Sequence, residues 1–377
     1  MRKIPPHVAK RLLSFLFIIV LVLNCMPVMA DSEQISADGK FRYIVENGEA
    51  TITGCTINLE KLEIPSQIDG YLVKKIGESA FYLRSDFREV IIPNTVTVIG
   101  SSAFIQCYKL IKVVIPDSVQ TIEQSAFNLC SKLSEITWGD GLLTIETGAF
   151  GYCTSLTKLD FPNNLSFIGA GAFDLCLNLQ EVTLPLTLQT LEEDVFSNCP
   201  NLSSITVDPN NLNYSSDEGV LFNKNKTALL HYPPGKTDFN YTVPYTVTTI
   251  GPGAFFECFN LKQLIILGNS VSIDSNAFGK QAITLYGISG SVTQQYANEY
   301  AIPFADIEKV TLGNPNGDNA INAKDALLVL KISVGKLVSF TQQQTAADAN
   351  KDGDINAKDA LEMLKYAVGK PSCLQTA

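Results

Sequence analysis

The sequence predicts an α/β solenoid with coils of about 23 residues, each a strand plus a short helix, followed by a small all-α domain. An Ala-Phe pair recurs at Ala80-Phe81, Ala103-Phe104, Ala126-Phe127, Ala149-Phe150 and Ala172-Phe173, then as Val195-Phe196, always at the same step. It returns at Ala254-Phe255 and Ala277-Phe278, one such step apart. Near the C-terminus an unrelated loop–helix pattern occurs twice, starting at Asn314 and again at Asp348. A fixed period of the first kind marks coils that bury an apolar side against their neighbours.

Within one coil, Ala103, Phe104, Cys107 and Leu110 share a helical face, which predicts a short helix or a single helical turn. Leu110, Val113 and Ile115 then alternate as a strand, and Pro116 closes it. Val119 and Ile122 lead back to the next Ala-Phe pair. Before the first coil, Phe41, Tyr43 and Val45 alternate with polar residues, Asn47-Gly48 makes a turn, and Ala50 and Ile52 resume the alternation. That is a β-hairpin, placed to cap the solenoid. After Phe278, Ile283 to Tyr286 and a helix from Val292 to Tyr300 read as the opposite cap.

The step from Val195 to Ala254 exceeds two periods of the repeat. Its extra residues, near 209–243, read as a hairpin projecting from the solenoid. Residues 1–30 read as a signal peptide, with Arg2, Lys3, Lys10 and Arg11 before the apolar run Leu12 to Leu23 and Val28-Met29-Ala30 at the cleavage site. Its removal takes four basic residues and no acidic ones, shifting the net charge from −10 to −14. That balance disfavours nucleic acid and anionic lipid as partners, and no later segment is apolar enough for membrane insertion. With only His7 and His231 in the chain, a histidine triad or multi-histidine zinc site has too few ligands.

Cys107, Cys130, Cys153, Cys176, Cys199 and Cys258 hold one position in successive coils, on the face of the Ala-Phe pair. They are expected to be buried free thiols, not disulfides. On the strands, Glu89, Lys112, Glu135, Lys158 and Glu181 alternate in sign from coil to coil, which favours one stacking register. The adjacent positions, Ile91, Val114, Thr137, Asp160, Thr183, Thr206 and Ile265, are β-branched except Asp160. Trp138 and Phe161 fall at the inward position of Ile115 and are expected in the core, so the strand face lacks a row of aromatics for stacking on sugars.

The Leu-x-x-Val-x-Ile strand and the fuller Ile-Gly-x-x-Ala-Phe-x-x-Cys pattern resemble the BspA-type bacterial leucine-rich repeat family over roughly residues 41–305. The resemblance implies an α/β leucine-rich repeat solenoid.

The second repeat aligns Asn314 to Asp325 with Asp348 to Asp359. Oxygen-bearing side chains stand at loop positions 1, 3, 5, 9 and 12: Asn314, Asn316, Asp318, Asn322 and Asp325, then Asp348, Asn350, Asp352, Asn356 and Asp359. With the backbone carbonyls of Ala320 and Asp354 at position 7, each set meets a hard cation's need for several oxygens, and predicts two Ca²⁺ ions. Ile321 and Ile355 at position 8 anchor the loops, and a helix follows each. The pair closely resembles a type I dockerin at 313–371, joined by a linker at 306–312. That family has Asp first and Gly sixth; Asn314 and Asn319 depart from it, so the first loop is expected to bind more weakly.

The resemblance implies docking onto a cohesin module of a scaffoldin through Ala323, Lys324, Leu327 and Lys331, or through Ala357, Lys358, Leu361 and Lys365. It further implies a secreted, non-catalytic, cell-surface cellulosome component in polysaccharide degradation, whose solenoid meets a protein or cell-surface ligand. A carbohydrate-binding or adhesive module is the alternative. Caps, coils and the insert account for residues 41–305 and leave no room for a catalytic domain.

Overall fold

The computed structural model describes residues 32–268, 270–306, 326, 349, 355–367, 370 and 374, so the leader lies outside the described residues. Each coil lays down one short strand on a first face and a two-residue strand on a second. On the first face Lys61–Glu63, Glu89–Ile91, Lys112–Val114 and Glu135–Thr137 form a parallel sheet, with Glu135 opposite Lys112 and Lys112 opposite Glu89. On the second, Val98–Ile99, Thr121–Ile122, Thr144–Ile145, Phe167–Ile168 and Thr190–Leu191 stack in the same register. That stack continues into the N-terminal cap, where Phe41–Glu46 and Glu49–Cys55 form the expected antiparallel hairpin. At the other end the helix Val292–Glu299, capped by Ser291 accepting from the Gln294 N–H, buries Tyr296 and Ala297 against the last coils.

The coil repeat is written in the core. Phe81, Phe104, Phe127, Phe150 and Phe173 stack face to face at 4.9–5.3 Å, with interplanar angles of 1–14°. Each pair contributes about 0.5–1.5 kcal/mol beyond its buried area. The segment bearing the Ala-Phe pair is a run of turns and not a regular helix, which departs from the expected short helix. Two positions per coil sit in the left-handed region and interrupt any helical run: Ser102 (φ 55°) and Gln106 (φ 62°), then Ser125 (φ 56°) and Leu129 (φ 62°).

The insert overturns the expected projecting hairpin. Its strand Val220–Asn223 lies inside the solenoid, with Val220, Leu221 and Phe222 all buried, and Tyr214–Asp217 pairs with it along the edge of the sheet. Leu221 packs into the core of the preceding coils while Val220 and Phe222 pack into the core of the following ones. A strand covered on both faces reads as an uninterrupted apolar run, and Val220-Leu221-Phe222 is one. The hairpin is the joint between two stacks.

Behind it, Ala228–His231 pairs in parallel with Thr249–Ile250, and Tyr232 takes the phenylalanine position, its ring 5.4 Å from Phe255. Tyr232 precedes Phe255 by the regular step of the repeat, as Phe104 precedes Phe127. The insert is therefore one coil of the repeat lengthened by a hairpin.

Candidate functional site

Two regions carry functional potential, the C-terminal repeat and the solenoid surface. In the first, the loop residues Asn314, Asn316, Asp318, Ala320, Asn322, Asp325, Asp348, Asn350, Asp352 and Asp354 lie outside the described residues, as do Ala323, Lys324, Leu327 and Lys331. The end of the second loop and its helix, Ala357–Ala367, are described. Asn356 Oδ1 accepts from the Lys358 N–H at 2.8 Å, and Asp359 Oδ2 accepts from the Asn356 N–H at 2.9 Å. This reciprocal arrangement is a capping box, and it fixes both side chains at the head of the helix.

Asp359 is fully buried, and burial of a carboxylate demands compensating partners. A buried carboxylate and an amide oxygen fixed at one loop end, among neighbours that bear only oxygen donors, fit a hard cation and not a thiolate- or imidazole-loving metal. Ile355 packs against Ala326, Ala349, Ala360, Met363 and Leu374, as the anchor role of position 8 requires. Ala326 and Ala360, equivalent in the two repeats, meet in that same cluster. The opposite stripe of the helix holds Ala357, Lys358, Leu361, Leu364 and Lys365; Leu361 is 52% exposed and Leu364 38%. An exposed apolar stripe on a helix is the kind of surface that a groove-bearing partner can take up.

On the solenoid, the seven cysteines among the described residues are free and buried. Each ladder thiol points at the carbonyl of the aromatic residue one coil back: Cys107 at Phe81 (3.2 Å), Cys130 at Phe104 (3.1 Å), Cys153 at Phe127 (3.3 Å) and Cys258 at Tyr232 (3.4 Å). In the last coil Gln281 stands one repeat step after Cys258 and donates from Nε2 to Phe255 O at 2.6 Å. The shared task is to supply a donor to a buried carbonyl, and the sequence pattern of cysteines hid it. Burial raises the pKa values of Cys130, Cys153, Cys176, Cys199 and Cys258, that of Cys199 to about 12, so these thiols are poor nucleophiles. Cys153→Ala is expected to cost about 1–3 kcal/mol, and Cys153→Ser less because a donor returns. Urea unfolding of the two variants measures the difference.

The charge ladder is only partly joined. Lys112 reaches Glu89 at 3.8 Å, but Lys158 pairs with Asp160 of its own strand at 3.0 Å. Glu135 has no ion-pair partner among the described residues. Trp138 packs against the core as expected but is only half-buried and lines a surface cavity, while Phe161 is buried.

At the joint, His231 Nε2 is enclosed with no hydrogen-bond partner among the described residues. Burial lowers its pKa to about 4, with the Asp194 charge opposing. Above pH 6.5 the imidazole is neutral in both folded and unfolded chains. As the pH falls from 6.5 to 4 only the unfolded chain takes up the proton, so stability declines, by at most about 3 kcal/mol. Urea midpoints across that window are expected to fall, and His231→Leu to flatten the fall.

No helix among the described residues is long and apolar enough to cross a membrane. Comparison with known proteins bears on both regions. The profile described as BspA type leucine rich repeat region matches in 6 copies, over residues 48–153, 129–228 and 236–318. The chain belongs to the BspA-type leucine-rich repeat family. The dockerin type I domain matches residues 313–367 of this BspA-type protein, and type I dockerins bind calcium.

A crystal structure of a leucine rich cell surface protein from Faecalibacterium prausnitzii is 29% identical, with 69% of this chain and 77% of that one covered at a TM-score of 0.54. A leucine-rich repeat protein from Bacteroides ovatus is 25% identical, covering 71% of this chain and 72% of its own, at a TM-score of 0.52. No curated protein matches the chain. Both modules of this BspA-type protein are non-catalytic types, and their pairing is that of a cellulosome-type protein-interaction component.

Proposed function

We propose that the chain is a secreted, non-catalytic cellulosome component whose dockerin binds a scaffoldin cohesin in a calcium-dependent manner, while the solenoid presents a face to a protein or cell-surface ligand. Two Ca²⁺ ions occupy the dockerin, the first held by Asn314, Asn316, Asp318, Ala320, Asn322 and Asp325, the second by Asp348, Asn350, Asp352, Asp354, Asn356 and Asp359. Bound calcium supplies the charge that holds each loop closed at the head of its helix. Ala323, Lys324, Leu327 and Lys331, or their equivalents Ala357, Lys358, Leu361 and Lys365, contact the cohesin. The unit runs from 313 to 371, after a linker at 306–312 and a solenoid at 31–305.

The observation that carries this reading is the capped helix Ala357–Ala367, which buries Asp359 on one side and leaves Leu361 and Leu364 outward on the other. Near-identical halves imply that either can dock. The experiment is paired substitution in the full chain: Lys358→Glu with Leu361→Glu, Lys324→Glu with Leu327→Glu, and all four together. Each pair alone is expected to leave cohesin binding nearly intact and the quadruple variant to abolish it. Loss in either pair alone refutes dual docking.

A further inference from the structure

The strand ladder of the first face is interrupted twice. The first sheet ends at Glu135–Thr137, and the next begins at Lys158–Asp160 without pairing to it. Elsewhere the Ile111 carbonyl accepts from the Ser134 and Glu135 N–H groups, and the Thr157 carbonyl from those of Gln180 and Glu181. Among the described residues no such bond joins Ser134 to Thr157 or Lys158. The other sides of the same two coils stay closed: Thr144 pairs with Phe167, and the Phe127 N–H donates to Ala149 O at 2.7 Å. The opening is thus a slot on one face only.

Its cause lies in the sequence. Where the flanking coils read Ile115-Pro116 and Phe161-Pro162, this coil reads Trp138-Gly139-Asp140-Gly141. A Cβ on Gly139 would lie 2.2 Å from the Pro116 carbonyl carbon, and one on Gly141 1.8 Å from Asp117 O. The turn is drawn onto the coil before it, and its one tie to the coil after it among the described residues is at the tip, where Asp140 O accepts from Asn164 Nδ2 at 2.7 Å. The cavity so opened measures about 360 Å³, and Glu135, Ile136, Thr137, Trp138, Lys158 and Asp160 are among its lining residues. Ile136 is only partly buried against the core, whereas its equivalents Val113 and Leu159 are buried.

The second interruption shows what fills such a gap. Between Ser204–Val207 and Asn240–Thr242 the chain inserts its own hairpin, and the Ile205 N–H donates to Gly219 O at 2.9 Å. An unpaired strand edge is there satisfied by peptide backbone. We propose that the slot between Glu135–Thr137 and Lys158–Asp160 binds about three residues of an extended peptide carrying a basic side chain. Three residues at about 3.3 Å each match the length of the two lips. The basic preference follows from Glu135, whose carboxylate lacks an ion-pair partner among the described residues while Lys158 is already engaged by Asp160.

This inference rests on the reading of the solenoid as a protein-binding face and adds the place and the chemistry. A saccharide is disfavoured because the half-buried Trp138 ring packs against the core, meeting Phe150 edge-on at 5.5 Å and Phe161 at a tilt at 5.8 Å, and does not stand as an exposed stacking platform.

Trp138 is the single tryptophan of the chain, so its emission reports on the slot directly. The test titrates the full chain with two capped pentapeptide pools, one with lysine fixed at the centre and one with glutamate, and with cellohexaose. The lysine pool is expected to change the emission saturably, the glutamate pool and cellohexaose not. Glu135→Gln is expected to weaken the lysine response about fivefold, the size of one exposed ion pair, and Glu181→Gln, in the closed ladder, to leave it unchanged. Equal responses to both pools, no response, or a response to cellohexaose alone overturns the site. Capture of a protein partner by the solenoid with Trp138 emission unchanged, and insensitive to Glu135→Gln, overturns the slot while sparing the broader reading.

Discussion

Phe222→Ala is expected to destabilise the solenoid by about 3–5 kcal/mol and to split its unfolding into two transitions. Phe222 is fully buried in the second core, one residue from Leu221, which is buried in the first. Repeat arrays hold together through nearest-neighbour interfaces, so a cavity at the joint lowers the coupling between stacks more than the stability within either. Calorimetry of the variant is expected to show two peaks where the parent shows one. Phe127→Ala, deep in the first stack, loses a side chain of the same size and is expected to lower one transition without splitting it. A single, uniformly shifted transition in Phe222→Ala would show that the hairpin is an ornament of one stack and not the joint.

Calcium withdrawal is expected to unfold the C-terminal module while leaving the solenoid intact. The described cluster there is small: Ala326, Ala349, Ala360, Met363 and Leu374 with Ile355 against it. Such a core supplies little stability unaided, and Asp359 sits buried within it. Two ions held by carboxylates and amides then provide much of the folding free energy. Chelation is expected to remove the far-ultraviolet helical signal of Ala357–Ala367 and to leave the signals of the Phe81–Phe173 stack unchanged. Asp348→Ala with Asp352→Ala is expected to reproduce the loss at ordinary calcium. Asp318→Ala is expected to cost less, because the first loop has Asn at its first position.

The repeat was legible because each inward position is repeated in every coil: Phe104, Cys107, Leu110, Val113 and Ile115 recur one coil later as Phe127, Cys130, Leu133, Ile136 and Trp138. The segment bearing the Ala-Phe pair misled because Ala103, Phe104 and Cys107 have helical spacing, while Ser102 and Gln106 adopt a left-handed backbone that spacing does not reveal. Polar residues around Val220-Leu221-Phe222 suggested an exposed hairpin, and only the two cores show that the run is covered on both faces. Tyr232 was missed because it lacks the preceding alanine, although its distance from Phe255 is the repeat itself. The opening beside Trp138 left one signal in the sequence, the loss of proline at Gly139, whose consequence depends on the contact with Pro116. In the C-terminal module the doubled oxygen pattern conveyed the metal chemistry, and the capping box of Asn356 and Asp359 adds how one loop end is fixed.

The central claim is that this chain is carried by a calcium-loaded docking module while its solenoid remains free to bind. Calorimetric titration of the full chain with a type I cohesin, in calcium and then in excess chelator, tests it most directly. Saturable binding in calcium, weakened about a hundredfold or more by chelation and restored by added calcium, is the expected result. Affinity that survives chelation with the helix intact, or no binding to any type I cohesin in calcium, would contradict it.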